Sequence, residues 1–89
     1  MFKSVTTTRF DKDVKLSKKR GKDLSKLRNV MELILEGIRL PQKYNDHWLN
    51  GKYSNRRECH VEPDWLLIYK PQDKEIIFER TGTHSDLFK

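Results

Sequence analysis

Arg57-Glu58-Cys59-His60-Val61-Glu62-Pro63-Asp64-Trp65-Leu66-Leu67-Ile68-Tyr69 decides the fold. It reads as two short strands meeting at Glu62-Pro63-Asp64, a corner where the N–H that proline lacks is not needed by a ladder. Before the corner, strand alternation puts Arg56, Glu58 and His60 on one face and Arg57, Cys59 and Val61 on the other. After it, Trp65 to Tyr69 is an unbroken apolar run. The run is short for a helix and rich in aromatic and branched residues, so a strand buried on both faces is expected. Asp64 opens that strand and His60 lies across the corner from it. Two titratable groups thus sit at the rim of a rigid sheet, where chemistry is commonly sited.

Downstream, Pro71-Gln72-Asp73-Lys74 is a turn into a further strand from Glu75 to Arg80. There Ile76, Phe78 and Arg80 alternate against Ile77, Glu79 and Thr81. Gly82 leads out of the sheet, and Ser85 to Phe88 is expected as a single turn or short strand. Upstream, residues 41–55 show no sustained period and read as a polar loop carrying His47. Before that loop, Leu24, Leu27, Met31, Ile34, Leu35 and Ile38 recur at the spacing of one buried helix face. Asp23 caps this helix and Leu40-Pro41 is expected to stop it. An earlier, surface-lying helix runs from a Thr8 cap, with Asp11 three residues on, to about Arg20. Its apolar stripe is Phe10, Val14 and Leu16, and Gly21 suits the left-handed residue that closes it. With Met1 to Val5 as a strand, the expected class is α+β: a strand, two helices, then an antiparallel β-meander. The helices lie on one sheet face, in a single domain over 1–89.

Nineteen Lys and Arg stand against thirteen Asp and Glu, a formal charge of +6. The excess is confined to the first 28 residues, where ten bases face Asp11, Asp13 and Asp23. Such asymmetry points to a surface that seeks polyanions or an acidic partner, and Lys12, Lys15, Lys18 and Lys19 of the first helix are its centre. The lone Cys59 forms no intrachain disulfide, and no apolar run approaches the ~20 residues of a membrane span. A cytoplasmic protein without a membrane role is expected.

Chemistry is narrowed by the three histidines, His47, His60 and His84. Cys59 and His60 are adjacent on a strand and point to opposite faces, which makes a thiol–imidazole pair geometrically poor. Separations of 13 and 24 residues between histidines match no zinc-ligand motif, so no metal or other cofactor is expected. General acid–base work at phosphate remains. An imidazole both takes and gives a proton at neutral pH, and Arg80 and Arg56 offer bidentate charge to a phosphoryl group. That is the equipment of a metal-free ribonuclease, in which the 2′-hydroxyl attacks its own phosphate.

Asp46-His47-Trp48-Leu49, the stretch from Glu58 to Tyr69, and Phe78-Glu79-Arg80-Thr81-Gly82-Thr83-His84-Ser85-Asp86-Leu87-Phe88 together resemble the YafQ branch of the RelE-like toxins. Order and spacing match over nearly the whole chain, although the family usually has proline where Trp48 stands. The resemblance implies a RelE-like microbial ribonuclease fold and the toxin of a type II toxin–antitoxin pair. It implies a ribosome-dependent endoribonuclease that cuts mRNA in the A site. It also implies a DinJ-like antitoxin, whose ribbon-helix-helix part binds operator DNA. Carried over, the family's site positions fall on His47, His60, Asp64, Trp65, Arg80, His84 and Phe88. His84, beyond a Gly82 hinge, is the expected general acid, and Asp64, alone or with His60, the expected base. His47, His60 and Arg80 would hold the phosphate. Trp65 either stacks on a base or belongs to the core, and Phe88 either touches substrate or pins the C-terminal turn. The basic first helix would meet ribosomal RNA. Two other readings stay open: a non-catalytic module that binds ribosome or antitoxin, and a ribonuclease that needs no ribosome.

Overall fold

The run from Trp65 to Tyr69 lies at the centre of the sheet, with every residue at most 4% exposed. A computed structural model describes residues 1–88. Its strands are β1 (Lys3–Thr6), β2 (His47–Trp48), β3 (Arg57–Glu62), β4 (Trp65–Gln72) and β5 (Glu75–Gly82), in the spatial order β1-β5-β4-β3-β2. The meander of β3, β4 and β5 is antiparallel, as the turn chemistry requires. β1 pairs parallel with β5, from Lys3 against Glu75 to Thr6 against Phe78, so the sheet is mixed. β2 falls inside the segment expected as loop. It is two residues long, too short for any period to register, and exists through pairing with Glu58 and Arg57.

Helix α1 (Thr8–Lys19) starts one residue earlier than its sequence signal. The cap is Thr7, not Thr8, because the Thr7 hydroxyl accepts the Phe10 N–H at 3.0 Å while donating to the Glu79 carbonyl at 3.0 Å. One side chain thereby ends the helix and fastens it to β5. Phe10 is buried and Val14 partly so, whereas Leu16 is exposed. Helix α2 (Leu24–Leu35) is capped by Asp23, which accepts the Ser25 N–H at 3.0 Å. It buries Leu27, Val30 and Ile34. Ile38 is not on this face: Gly37, with φ of 73°, closes the helix before Pro41 and leaves Ile38 exposed.

The two faces of the sheet are covered differently. α1 and α2 pack over Cys59, Trp65, Leu67, Tyr69, Ile76 and Phe78. The opposite face was expected to lack a helix, but Leu66 and Ile68 are sealed there by Leu87 of α3 (His84–Phe88), flanked by Leu49 and Tyr53. Each large aliphatic side chain removed from water in this way contributes roughly 1.5–3 kcal/mol.

Pairing departs from regularity twice, once where β3 meets the start of β4 and once at the middle of β4. β3 has an irregularity at Val61, between the pairs His60–Leu66 and Glu62–Trp65. β5 carries Glu79 as an extra residue, because Ile68 pairs with Arg80 while Tyr69 pairs with Phe78. Plain alternation would keep Arg80 on the face of Phe78, in the helix-side core. The bulge moves it to the face of Ile68.

Candidate active site

The polar face of β3 and the start of α3 bring the predicted groups together. His47 reaches from β2 so that its Nε2 lies 3.5 Å from Glu58 Oε1, and His60 Nε2 lies 3.7 Å from the same oxygen. The His60 and His84 rings meet edge to face at 5.8 Å between centroids. Asp64 Oδ1 then accepts the His84 ring Nδ1–H at 2.6 Å and the His84 backbone N–H at 2.9 Å. The result is a continuous line, His47–Glu58–His60–His84–Asp64, across the rim. Both ends are open to water, with the side chains of His47 and Asp64 41% and 64% exposed.

Two of the imidazoles, His47 and His84, have their own support. Asp46, next to His47, accepts the Tyr69 hydroxyl at 2.7 Å and the Arg57 Nε–H at 3.2 Å, which pins the loop to the sheet. The His47 Nδ1 lies 2.7 Å from the Asn45 carbonyl oxygen. Trp48, where the family usually has proline, stacks under the Arg57 guanidinium at 4.7 Å. His84 is fixed by reciprocal bonds at the head of α3. Thr83 accepts the Asp86 N–H at 3.1 Å, and Asp86 accepts the Thr83 N–H at 2.9 Å, a capping box. Asp86 also accepts from Arg20, the residue that closes α1, at 2.7 Å. The Arg20 hydrogen bond, then that of Thr83, hold the Asp86 carboxyl at about 2. Gly82 is required less as a hinge than as space, since a Cβ there would stand 2.8 Å from Asp86 Oδ2.

Asp64 is ill-suited to be the base. Its pKa is lowered, first by the His84 backbone N–H and then by the His84 ring, so it holds a proton less readily than a free carboxylate. Arg80 is half committed. Its Nε donates to Asp13 Oδ2 at 2.7 Å, and the same oxygen accepts the Thr81 N–H at 3.1 Å. Arg56 is likewise held by Glu79 at 2.6 Å. Each guanidinium keeps donors that these carboxylates leave unused.

Of its two expected places, Trp65 takes the core. It is 1% exposed, and its indole N–H donates to Thr81 Oγ1 at 3.0 Å on the helix side, so its ring has no face to offer a base. Phe88 is exposed and packs edge to face on Tyr53 at 5.6 Å, which pins the C-terminal turn. Lys12, Lys15, Lys18 and Lys19 are exposed on α1 and form no ion pair among the described residues. Cys59 is fully buried on the helix side, and that burial pushes its thiol pKa up.

Residues 2–89 match the sequence profile of a family described as a bacterial toxin of type II toxin–antitoxin systems, YafQ. The chain belongs to the YafQ family. It is similar to the mRNA interferase toxin YafQ of Escherichia coli K12, 52% identical over 80 residues, which covers 89% of this chain and 87% of that one. A toxin from Haemophilus influenzae bearing the name putative toxin YafQ is 37% identical over 65 residues, 68% of this chain and 64% of its own. Among solved structures, a chain of the E. coli DinJ–YafQ complex superposes with a TM-score of 0.93 at 47% identity, covering the whole of both chains.

The YafQ-like motifs therefore sit on one rim rather than scattered, apart from the buried Trp65. The reading from sequence overlooked two acids. Glu58 is 5% exposed although it alternates with polar neighbours, and Asp86 organises the head of α3. A signal existed for the second, because Thr83-His84-Ser85-Asp86 is a short capping-box pattern. For the first, only the two-residue spacing from His60 hinted that the two share a face.

Proposed function

We propose that this chain is the toxin of a type II pair and acts as an endoribonuclease on mRNA in the ribosomal A site. The observation that carries the reading is the line of imidazoles and carboxylates along one rim, with cations at its margin. The ribose 2′-hydroxyl attacks the adjacent phosphorus and gives its proton to His60. The bond from phosphorus to the 5′-oxygen breaks, and that oxygen takes a proton from His84. The products are a 2′,3′-cyclic phosphate and a 5′-hydroxyl. Because His84 Nδ1–H is tied to Asp64, its Nε2 is the nitrogen that faces out and delivers the proton. Asp64 is therefore the orienting partner of His84, and the role of base passes to His60, the next imidazole along the line. His47 and the uncommitted donors of Arg80 and Arg56 hold the charge that develops on phosphorus.

The openness of the site supports dependence on the ribosome. With His84 and Asp64 more than half exposed, a second surface is needed to press the RNA strand against the rim. Lys12, Lys15, Lys18 and Lys19 would dock that surface through ribosomal RNA phosphates. The partner that neutralises the toxin is a DinJ-like ribbon-helix-helix antitoxin, through which alone operator DNA is reached. The site of action is the cytoplasm, and no described helix is long and apolar enough to cross a membrane.

Primer extension on an mRNA programmed into purified ribosomes tests the reading. Cuts within the A-site codon that require both ribosomes and protein are expected, and they should vanish when the antitoxin is added. Equal cutting of naked mRNA would remove the A-site step. Growth arrest that survives His60→Ala with His84→Ala would favour the non-catalytic module instead.

A further inference from the structure

Glu58 is the group that the mechanism above does not use. It is 5% exposed, and among the described residues its Oε2 is buried with no hydrogen-bond partner. Its Oε1 faces the Nε2 of His47 from β2 at 3.5 Å and the Nε2 of His60 from β3 at 3.7 Å. β4 presents the apolar Ile68 in register opposite it. The two imidazoles are its only ion-pairing neighbours within 4 Å among the described residues.

Donor bookkeeping turns this geometry into an assignment. A carbonyl oxygen only accepts, so His47 Nδ1, 2.7 Å from the Asn45 carbonyl, carries a hydrogen. A neutral His47 would then aim a bare Nε2 lone pair at a carboxylate oxygen, which is repulsive. The arrangement is favourable when His47 carries hydrogens on both nitrogens. His60 is under no such constraint, because no described group claims its Nδ1. With its Nε2–H toward Glu58, His60 keeps a bare Nδ1 to receive a proton, the logic by which a carboxylate orients a histidine base.

We propose that Glu58 is a positioning residue of the cleavage site: it gathers the Nε2 atoms of His47 and His60 at one carboxylate oxygen and keeps His47 doubly protonated, leaving His60 to take the proton. The roles of the two histidines rest on the proposed nuclease function; the arrangement of the three side chains does not. A buried carboxylate with an unpartnered oxygen destabilises a fold, so its place here is not explained by stability.

The test uses the full chain, wild type and Glu58→Gln, with two readouts. Long-range ¹H–¹⁵N spectra of the histidine rings in the free protein come first. At neutral pH, wild-type His47 should show two protonated nitrogens, and in Glu58→Gln it should revert to the neutral ring with hydrogen on Nδ1. Cleavage on ribosomes comes second. Glu58→Gln should lower kcat about 10- to 100-fold with ribosome affinity unchanged and a urea midpoint equal to or above that of wild type. Glu58→Asp, which restores the charge, should recover part of the rate. A neutral His47 ring in the wild type overturns the proposal whether or not the variant folds. So does a Glu58→Gln enzyme with wild-type kcat, or a loss of rate matched by a fall in the urea midpoint. Absence of ribosomal cleavage by the wild type would sink the nuclease reading alone, leaving the ring spectra to judge Glu58.

Discussion

Trp65 shows how a residue's surroundings override its chemical promise. An aromatic ring that opens a strand beside the Asp64 carboxylate invites a stacking role, yet Trp65 is buried in the core that the helices cover. There its N–H is spent on Thr81, whose hydroxyl in turn donates to the Leu66 carbonyl at 2.7 Å. Trp65→Phe should therefore cost about 1–3 kcal/mol of stability through a lost hydrogen bond and a small void. Cleavage by the folded variant should stay unchanged. Urea denaturation and the ribosomal cleavage rate check the two parts, and a folded, stable but inactive variant would return Trp65 to the substrate. Glu58 is the converse case. A glutamate alternating with an arginine and a histidine reads as solvated, yet pairing with His47 of the short β2 strand on one side and Ile68 of β4 on the other leaves it buried.

Elements were legible in proportion to their length. The α2 face and the β4 run announce themselves because five apolar residues at helical spacing (Leu24, Leu27, Met31, Ile34 and Leu35), or five in succession, leave few alternatives. α3, at five residues, and β2, at two, are too short for periodicity and are held by tertiary contacts. The bulge at Glu79 was hidden for another reason, since an extra residue is defined by the partner strand's register. α3 docks through Leu87 and is tied at its head by Asp86, and the second tie makes its docking sensitive to acid. The Asp86 carboxyl titrates at about 2 in the fold, against about 3.9 unfolded. A depressed native value means that the stabilisation is fully present above about pH 4 and fades as pH falls toward about 2. Wild type should thus exceed Asp86→Asn in thermal midpoint above that window, and the gap should close within it. A gap independent of pH would show that the Arg20–Asp86 charge pair contributes nothing.

At the scale of the molecule, the net positive charge belongs to α1 and the start of α2, and this basic region adjoins the imidazole line: Arg20 pairs with Asp86, two residues after His84, and Arg80 pairs with Asp13 of α1. Composition made the basic surface legible, and the motif spacing made the rim legible. Which carboxylate faces which histidine was not, because that depends on two bulges and a capping box. Replacing Lys12, Lys15, Lys18 and Lys19 with Ala should weaken ribosome binding and flatten its salt dependence by about 0.7–0.9 in log–log slope per lysine that meets a phosphate. The cleavage rate at saturating ribosomes should hold. A filter-binding titration at several salt concentrations reads the slope, and an unchanged slope would move the docking surface elsewhere.

The central claim is that His84, held by Asp64, delivers the proton that releases the 5′-oxygen. The most direct measurement is single-turnover cleavage of a ribosome-bound mRNA in which sulfur replaces that bridging oxygen, because a thiolate leaves without a proton. On the oxygen substrate, His84→Ala should be slower than wild type by about 10²–10⁴. On the sulfur substrate, the two should cut at nearly the same rate. An equal loss on both substrates would contradict the account and reduce His84 to a binding residue.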